Sequence, residues 1–488
     1  MNKDDNQNTE KSFSLNQESP FQKAEGILKD SGKFVGDTTK EAIKKTIEVE
    51  KGGVKIAENA VYKVSEVPPL RQAKHFWQGL GPGLTTGAAD DDPSGVGTYS
   101  QTGAQYGFQL LWLAPLTFPL MAIIQEMCAR IGLVTGRGLA ANIKKHFSKK
   151  VLYVVAILVL LANSFNIGAD LGAMAKSTQL LFPGMPFWLL VVGFVVISLF
   201  LQIFVSYQKY ARYLKYLALI LLVYIFSAFV IKGFPWVEVL KSTFTPSLTF
   251  SKEQIILICG ILGTTISPYL FFWETSQEVE EKVSSGRTTI ASRQEVQKKE
   301  IRKMRIDVWT GMLFSNLVMF FIVAVCAATL FKSGIHNIGT ASDAAMALKP
   351  LAGHYAFLLF ALGIIGTGLL AIPILAGSAS YAVSESFGWK EGLYLRFRQG
   401  IYFYGVIIFS MLIGLVMNFV GINPIKALIY AAVANGLVAP LILVLIVIIA
   451  NNEKIMNSHH NSPTLKFIGW AIVGLMIVAG AATLISFF

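Results

Sequence analysis

The sequence predicts an all-α integral membrane protein of about eleven transmembrane helices. They form two five-helix inverted repeats, each headed by a broken helix, followed by one further helix. Three observations predict this. Of 488 residues, 53% are hydrophobic and 15% charged, with mean hydropathy +0.54, whereas a soluble domain carries about 25% charged residues. Apolar runs long enough to cross a bilayer recur between short basic links. Two of these runs, five apart in order, are interrupted by proline beside polar residues. That is the pattern of inverted repeats with a site between their first members.

Residues 1–74 are polar, with mixed charges. They predict a cytoplasmic tail, either disordered or carrying a surface helix through Ala42, Ile43, Ile47, Val54 and Ile56. Residues 75–450 carry ten spans, and 451–488 a cytoplasmic link with an extra C-terminal helix. The spans fall near 80–102, 106–133, 151–176, 187–206, 212–232, 253–275, 307–331, 353–383, 399–421, 424–450 and 465–488.

Basic residues fix the expected orientation. Arg137, Lys144, Lys145, Lys149 and Lys150 follow the second span. Lys209, Arg212 and Lys215 join the fourth to the fifth, and seven Lys or Arg between 287 and 305 join the sixth to the seventh. These links alternate with links poor in basic residues, such as 333–348. The positive-inside rule then places the N-terminus in the cytoplasm and the C-terminus outside, in the plasma (inner) membrane. The same placement accounts for the net charge of +12 without a nucleic-acid partner. Cys128, Cys259 and Cys326 lie singly in apolar segments, so neither disulfides nor a zinc site is indicated.

The first break reads Gly81-Pro-Gly-Leu-Thr-Thr-Gly-Ala-Ala-Asp-Asp-Asp-Pro-Ser-Gly95. A carboxylate at membrane depth needs a cation, a partner or a water-filled cavity. Pro93 removes a backbone donor and Gly95 relaxes the chain, so an unwound segment with free carbonyls is expected. Asp92 is the principal candidate cation ligand, helped by Asp90 or Asp91; the competing reading is a helix-capping acid. In the sixth span Thr264, Thr265 and Ser267 precede Pro268 and Tyr269. Their hydroxyls and the carbonyls freed by the proline offer hard oxygen ligands, or else simply satisfy a proline kink. Glu274 is positioned to line an inner vestibule. Asp170 is a second acidic candidate, with an interhelical hydrogen bond as its alternative. All six histidines fall in loops or near span ends, so the usual near-neutral proton carrier is missing. Oxygen donors alone suit magnesium, calcium and manganese. Small residues such as Gly95 and Ala432 leave room for an ion that sheds water reluctantly.

Over nearly all of 75–450 the chain resembles the NRAMP family of divalent metal transporters. The resemblance rests on Gly81-Pro-Gly83 with Asp92-Pro93, on Thr102 to Trp112, and on Thr135-Gly-Arg-Gly-Leu139. Ile167-Gly-Ala-Asp-Leu171, Ile422-Asn-Pro-Ile-Lys426 and Ala434-Asn-Gly436 complete it. The resemblance implies a leucine-transporter-like fold and cation import. The family's Asp-Pro-Gly-Asn is here Asp92-Pro93-Ser94-Gly95, its Met-Pro-His is Ser267-Pro268-Tyr269, and its tenth-span Gln is Ala432. The third-span Asp is kept as Asp170, whereas the Glu three residues later is Ala173. The soft thioether, the amide partners and the proton-linked imidazole are thus replaced while the carboxylate stays, as in the magnesium-transporting branch related to the family. The expected function is a secondary transporter or facilitator of divalent cations, with magnesium or manganese favoured over iron. The metal is substrate, no cofactor is expected, and metal ligands would come from Asp92, Asp91, Thr264, Ser267, Gly95 and Asp170. The rival readings are a carrier of a small organic cation or amine and a non-transporting sensor or scaffold. No nucleophile with base and orienting group is visible, which argues against an enzyme.

Overall fold

The computed structural model describes residues 81–205 and 219–487. The 1–74 tail and part of the fifth span lie outside them. Among the described residues every regular element is a helix. Eight helical stretches are long and apolar enough to cross a membrane, and Ile401–Met417 is a shorter apolar helix.

The first span is two helices, α1 (Pro82–Asp90) and α2 (Pro93–Tyr106). The second and third spans are α3 (Leu113–Thr135) and α5 (Lys149–Leu181), joined by α4 (Leu139–His146). The fourth is α6 (Phe187–Phe204), and the described end of the fifth is α7 (Leu222–Val230). A short helix, α8 (Trp236–Phe244), follows. The sixth span again divides, into α9 (Lys252–Thr265) and α10 (Pro268–Ser284). After α11 (Ile290–Gln294) come α12 (Lys298–Cys326), α13 (Ala341–Ala345) and α14 (Ala356–Phe387). The series closes with α15 (Ile401–Met417), α16 (Pro424–Asn451) and α17 (Pro463–Ser486). The two divided spans are thus the first and sixth. The short helices α4, α8 and α13 stand where the sequence shows only links, because pieces of five to nine residues escape a rule built on membrane length.

Polarity is inverted relative to a soluble protein. Large apolar side chains such as Phe204, Phe229, Phe244 and Phe467 are exposed, while Asp90, Asp92, Asp170, Asn435 and Glu274 are buried. Lipid solvates the former; only other helices can satisfy the latter. Glycine brings the half-helices close to their neighbours. A Cβ on Gly87 of α1 would stand 2.3 Å from the Gly311 carbonyl oxygen of α12. One on Gly103 of α2 would stand 2.4 Å from the Val323 oxygen, also of α12. On Gly263 of α9 it would meet the Ala432 oxygen of α16 at 2.1 Å, and on Gly132 of α3 the Thr275 oxygen of α10 at 2.2 Å. All four half-helices therefore touch a neighbour at backbone distance.

Candidate metal centre

The first break is tighter than the sequence suggests. Helix α1 continues through Asp90, and only Asp91 and Asp92 separate it from α2. Asp92 has extended backbone and caps α2, with Pro93 in the first helical position where no donor is needed. Its Oδ1 accepts the Gly95 N–H at 2.7 Å and the Ser94 hydroxyl at 2.7 Å. Gly95, expected in the unwound segment, is therefore in the first turn of α2. It nonetheless borders the break, since a Cβ there would lie 3.3 Å from the Asp90 carbonyl oxygen and 3.5 Å from Asp92 Oδ1.

The three acids divide between two helices. Asp92 Oδ2 accepts from Asn166 Nδ2 of α5 at 2.9 Å. One turn along, Asp170 is fully buried, faces Asp92 electrostatically and lies close to the Ser94 backbone. Asp90 and Asp91 turn instead to α12. The Ser315 hydroxyl lies 2.6 Å from Asp90 Oδ2 and 3.3 Å from Asp91 Oδ1, and Asp90 Oδ1 has no hydrogen-bond partner among the described residues.

At the second break the hydroxyls serve their own helix. Ser267 Oγ donates to the carbonyls of Gly263 at 2.8 Å and Thr264 at 2.5 Å, and Thr265 Oγ1 to Ile261 at 2.9 Å. The two Ser267 bonds answer carbonyls left open where Pro268 interrupts the helix. Thr264 Oγ1 lies 3.0 Å from the Ile261 oxygen and 3.1 Å from the Tyr99 hydroxyl of α2. The Tyr269 hydroxyl donates to the Ala89 carbonyl at the end of α1, at 3.1 Å. Two buried tyrosines thus tie the breaks together, each hydrogen-bonded across from one divided span to the other.

Asp92, Asp91, Gly95 and Asp170 gather around the first break, and Thr264 reaches it through Tyr99. Ser267 is buried and bonded within its own turn. Ala432 packs its backbone on Gly263. Among the described residues no group of three or more His, Cys, Asp or Glu side chains is arranged to hold a metal. An ion at the break would therefore rest on one or two carboxylates together with carbonyls, hydroxyls and water. Three further residues contribute. Asn166 and Ser315 position the acids, and Tyr269 occupies a free carbonyl. Polar residues in otherwise apolar spans were the available signal for the first two.

The family model for natural resistance-associated macrophage protein-like (Nramp) proteins matches residues 83–486. The chain belongs to the Nramp family. Within it, the chain is 26% identical over 407 residues to the divalent metal cation transporter MntH of Klebsiella pneumoniae, covering 82% of this chain and 91% of that protein. It is also 26% identical over 400 residues to the protein of the same name from Deinococcus radiodurans, covering 82% and 87%. Among solved structures, the Eremococcus coleocola manganese transporter superposes with a TM-score of 0.66 at 19% identity, covering 85% of this chain and 86% of that one. The shared architecture is the Nramp fold with divided first and sixth helices.

Proposed function

We propose that this Nramp-family protein carries divalent metal cations across the membrane by alternating access, with magnesium or manganese preferred to iron. The observation that carries the reading is Asp92, a buried carboxylate in the break of the first helix of an Nramp-family chain. Its two oxygens accept three hydrogen bonds, from Ser94, Gly95 and Asn166. They can then reach an ion only with water or carbonyl co-ligands. Oxygen donors at both breaks favour hard ions. Asp92 is the main ligand, with Asp91, Asp170 and the carbonyls beside Thr264 and Ser267 around it, and Gly95 leaving space for bound water. Rocking of one helix bundle against the other would expose this site to each side in turn. Tyr269 stands where a titrating imidazole would couple protons, which leaves a carboxylate relay as the route by which flux could still be coupled. The protein sits in the plasma membrane with its N-terminus and the basic 285–300 link in the cytoplasm.

The test is metal flux into proteoliposomes with internal pH recorded, wild type against Asp92→Ala. Magnesium and manganese uptake that falls at least a hundredfold in the variant, without acidification, is the expected result. No divalent flux from folded wild-type protein would overturn the reading and favour an organic cation as the cargo.

A further inference from the structure

We propose that a second cation site, occupied by a hydrated divalent ion, lies at the inner mouth against Glu278. This rests on the transport reading above and concerns a place the helix breaks do not reach. A cavity of about 180 Å³ opens at the end of the molecule bearing the 285–300 link, lined by Gly81, Glu278, Glu281, Lys303 and Asp307 among others. Four carboxylates line it, and Glu300, paired with Arg287 at 2.9 Å, is one of the three that are engaged. Asp307 accepts the N–H groups of Gly83 at 2.8 Å and Leu84 at 3.2 Å, at the start of α1. Glu281 pairs with Lys303 at 3.4 Å. Outside the lining, Glu274, one turn above Glu278 on the same face of α10, accepts the Thr86 hydroxyl through one oxygen, and its other oxygen has no hydrogen bond among the described residues. Glu278 is different. It is only 4% exposed, it lines the cavity, and among the described residues it takes part in no hydrogen bond or ion pair.

The nearby cations are already engaged elsewhere. Lys282 directs its ammonium to the carbonyls of Leu133 and Arg293, and Lys303 is held by Glu281. A buried, unpaired carboxylate beside three others requires a positive charge or a proton. The cavity has room for several waters, each taking roughly 30 Å³. No three of these acids converge to chelate a bare ion. Space without chelating geometry suits an ion that keeps its own shell, as magnesium does and manganese can. Such an ion would bridge Glu278 and Glu281 through water, directly beneath the first turn of α1.

The experiment titrates the full-length protein in nanodiscs with manganese, followed by electron paramagnetic resonance. Wild type, Asp92→Ala, Glu278→Gln and Glu278→Asp are compared. Two bound ions are expected in wild type, one of them with a nearly complete water shell. Glu278→Gln removes that ion and leaves the Asp92 ion. Asp92→Ala does the reverse. Glu278→Asp, which keeps the charge but withdraws it by one methylene, weakens the hydrated ion at least tenfold with an unchanged melting midpoint. Two ions retained in Glu278→Gln overturn the proposal. So does a single wild-type ion that Asp92→Ala abolishes, especially with an infrared protonated-carboxyl band that disappears in Glu278→Gln; Glu278 then holds a proton instead. Binding of no manganese at either place removes the transport reading as well.

Discussion

The three consecutive acids of the first break do two different jobs. Asp92 caps α2 and takes the Asn166 amide, while Asp90 shares the Ser315 hydroxyl with Asp91. Capping and cation binding are therefore not alternatives at Asp92. The cap fixes one oxygen toward α2 and the amide orients the other. Asn166→Ala frees Oδ2 to rotate, so manganese uptake is expected to show a KM raised several-fold in a protein that still melts normally. Ser315→Ala acts elsewhere. It strips two buried carboxylates of their shared donor, and a buried acceptor left bare costs about 1–3 kcal/mol. A drop in thermal midpoint, with a smaller change in KM than Asn166→Ala, is the expected outcome in parallel melting and uptake assays.

Each half-helix is seated by glycine at one side and linked by tyrosine at the other. The Gly87 to Gly311 approach leaves no space for a methyl group, since the intruded atom is a backbone oxygen that cannot rotate away. Gly87→Ala and Gly311→Ala should each destabilise by about 1–3 kcal/mol, the range for overpacking a filled contact. Thermal unfolding in detergent reads this directly, and an unchanged midpoint would mean that α1 shifts freely along α12. The tyrosine links are lighter. Tyr269→Phe removes the bond to the Ala89 carbonyl, a loss of about 0.5–1.5 kcal/mol. Because that bond joins α10 to α1, the variant should alter the rate of manganese uptake more than its KM.

The molecule as a whole carries a pH response outside its spans. Glu391, in the link after α14, has a carboxyl pushed up to about 10 by burial, with Glu385 and Glu280 adding repulsion. An acid raised in the folded state stays neutral there while the unfolded chain ionises from pH 4.5 upward. Its contribution to stability is full below that value and is lost progressively as pH rises toward 10. Wild-type protein should therefore melt lower at pH 9 than at pH 6, and Glu391→Gln should flatten that slope and melt above wild type at pH 9. Differential scanning across pH checks both. Identical slopes in the two proteins would remove Glu391 as the source.

The sequence by itself determined the membrane class, the succession of spans and the positions of the two breaks. Apolar run length and proline are local signals, and an apolar run of about 20 residues crosses lipid as a helix. It also marked Asp92, because a carboxylate at that depth has few innocent explanations. Only the tertiary structure decided where each acid points, because a side chain's partner lies on another helix. Ser315 stands 225 positions from Asp90, and nothing in either neighbourhood names the other. Ser267 illustrates the converse. Its hydroxyl is as polar in the sequence as any ligand, yet Pro268 frees carbonyls within one turn, and they claim it first. Glu278, near the end of the sixth span, is buried because α1, α3 and α12 close around the end of α10.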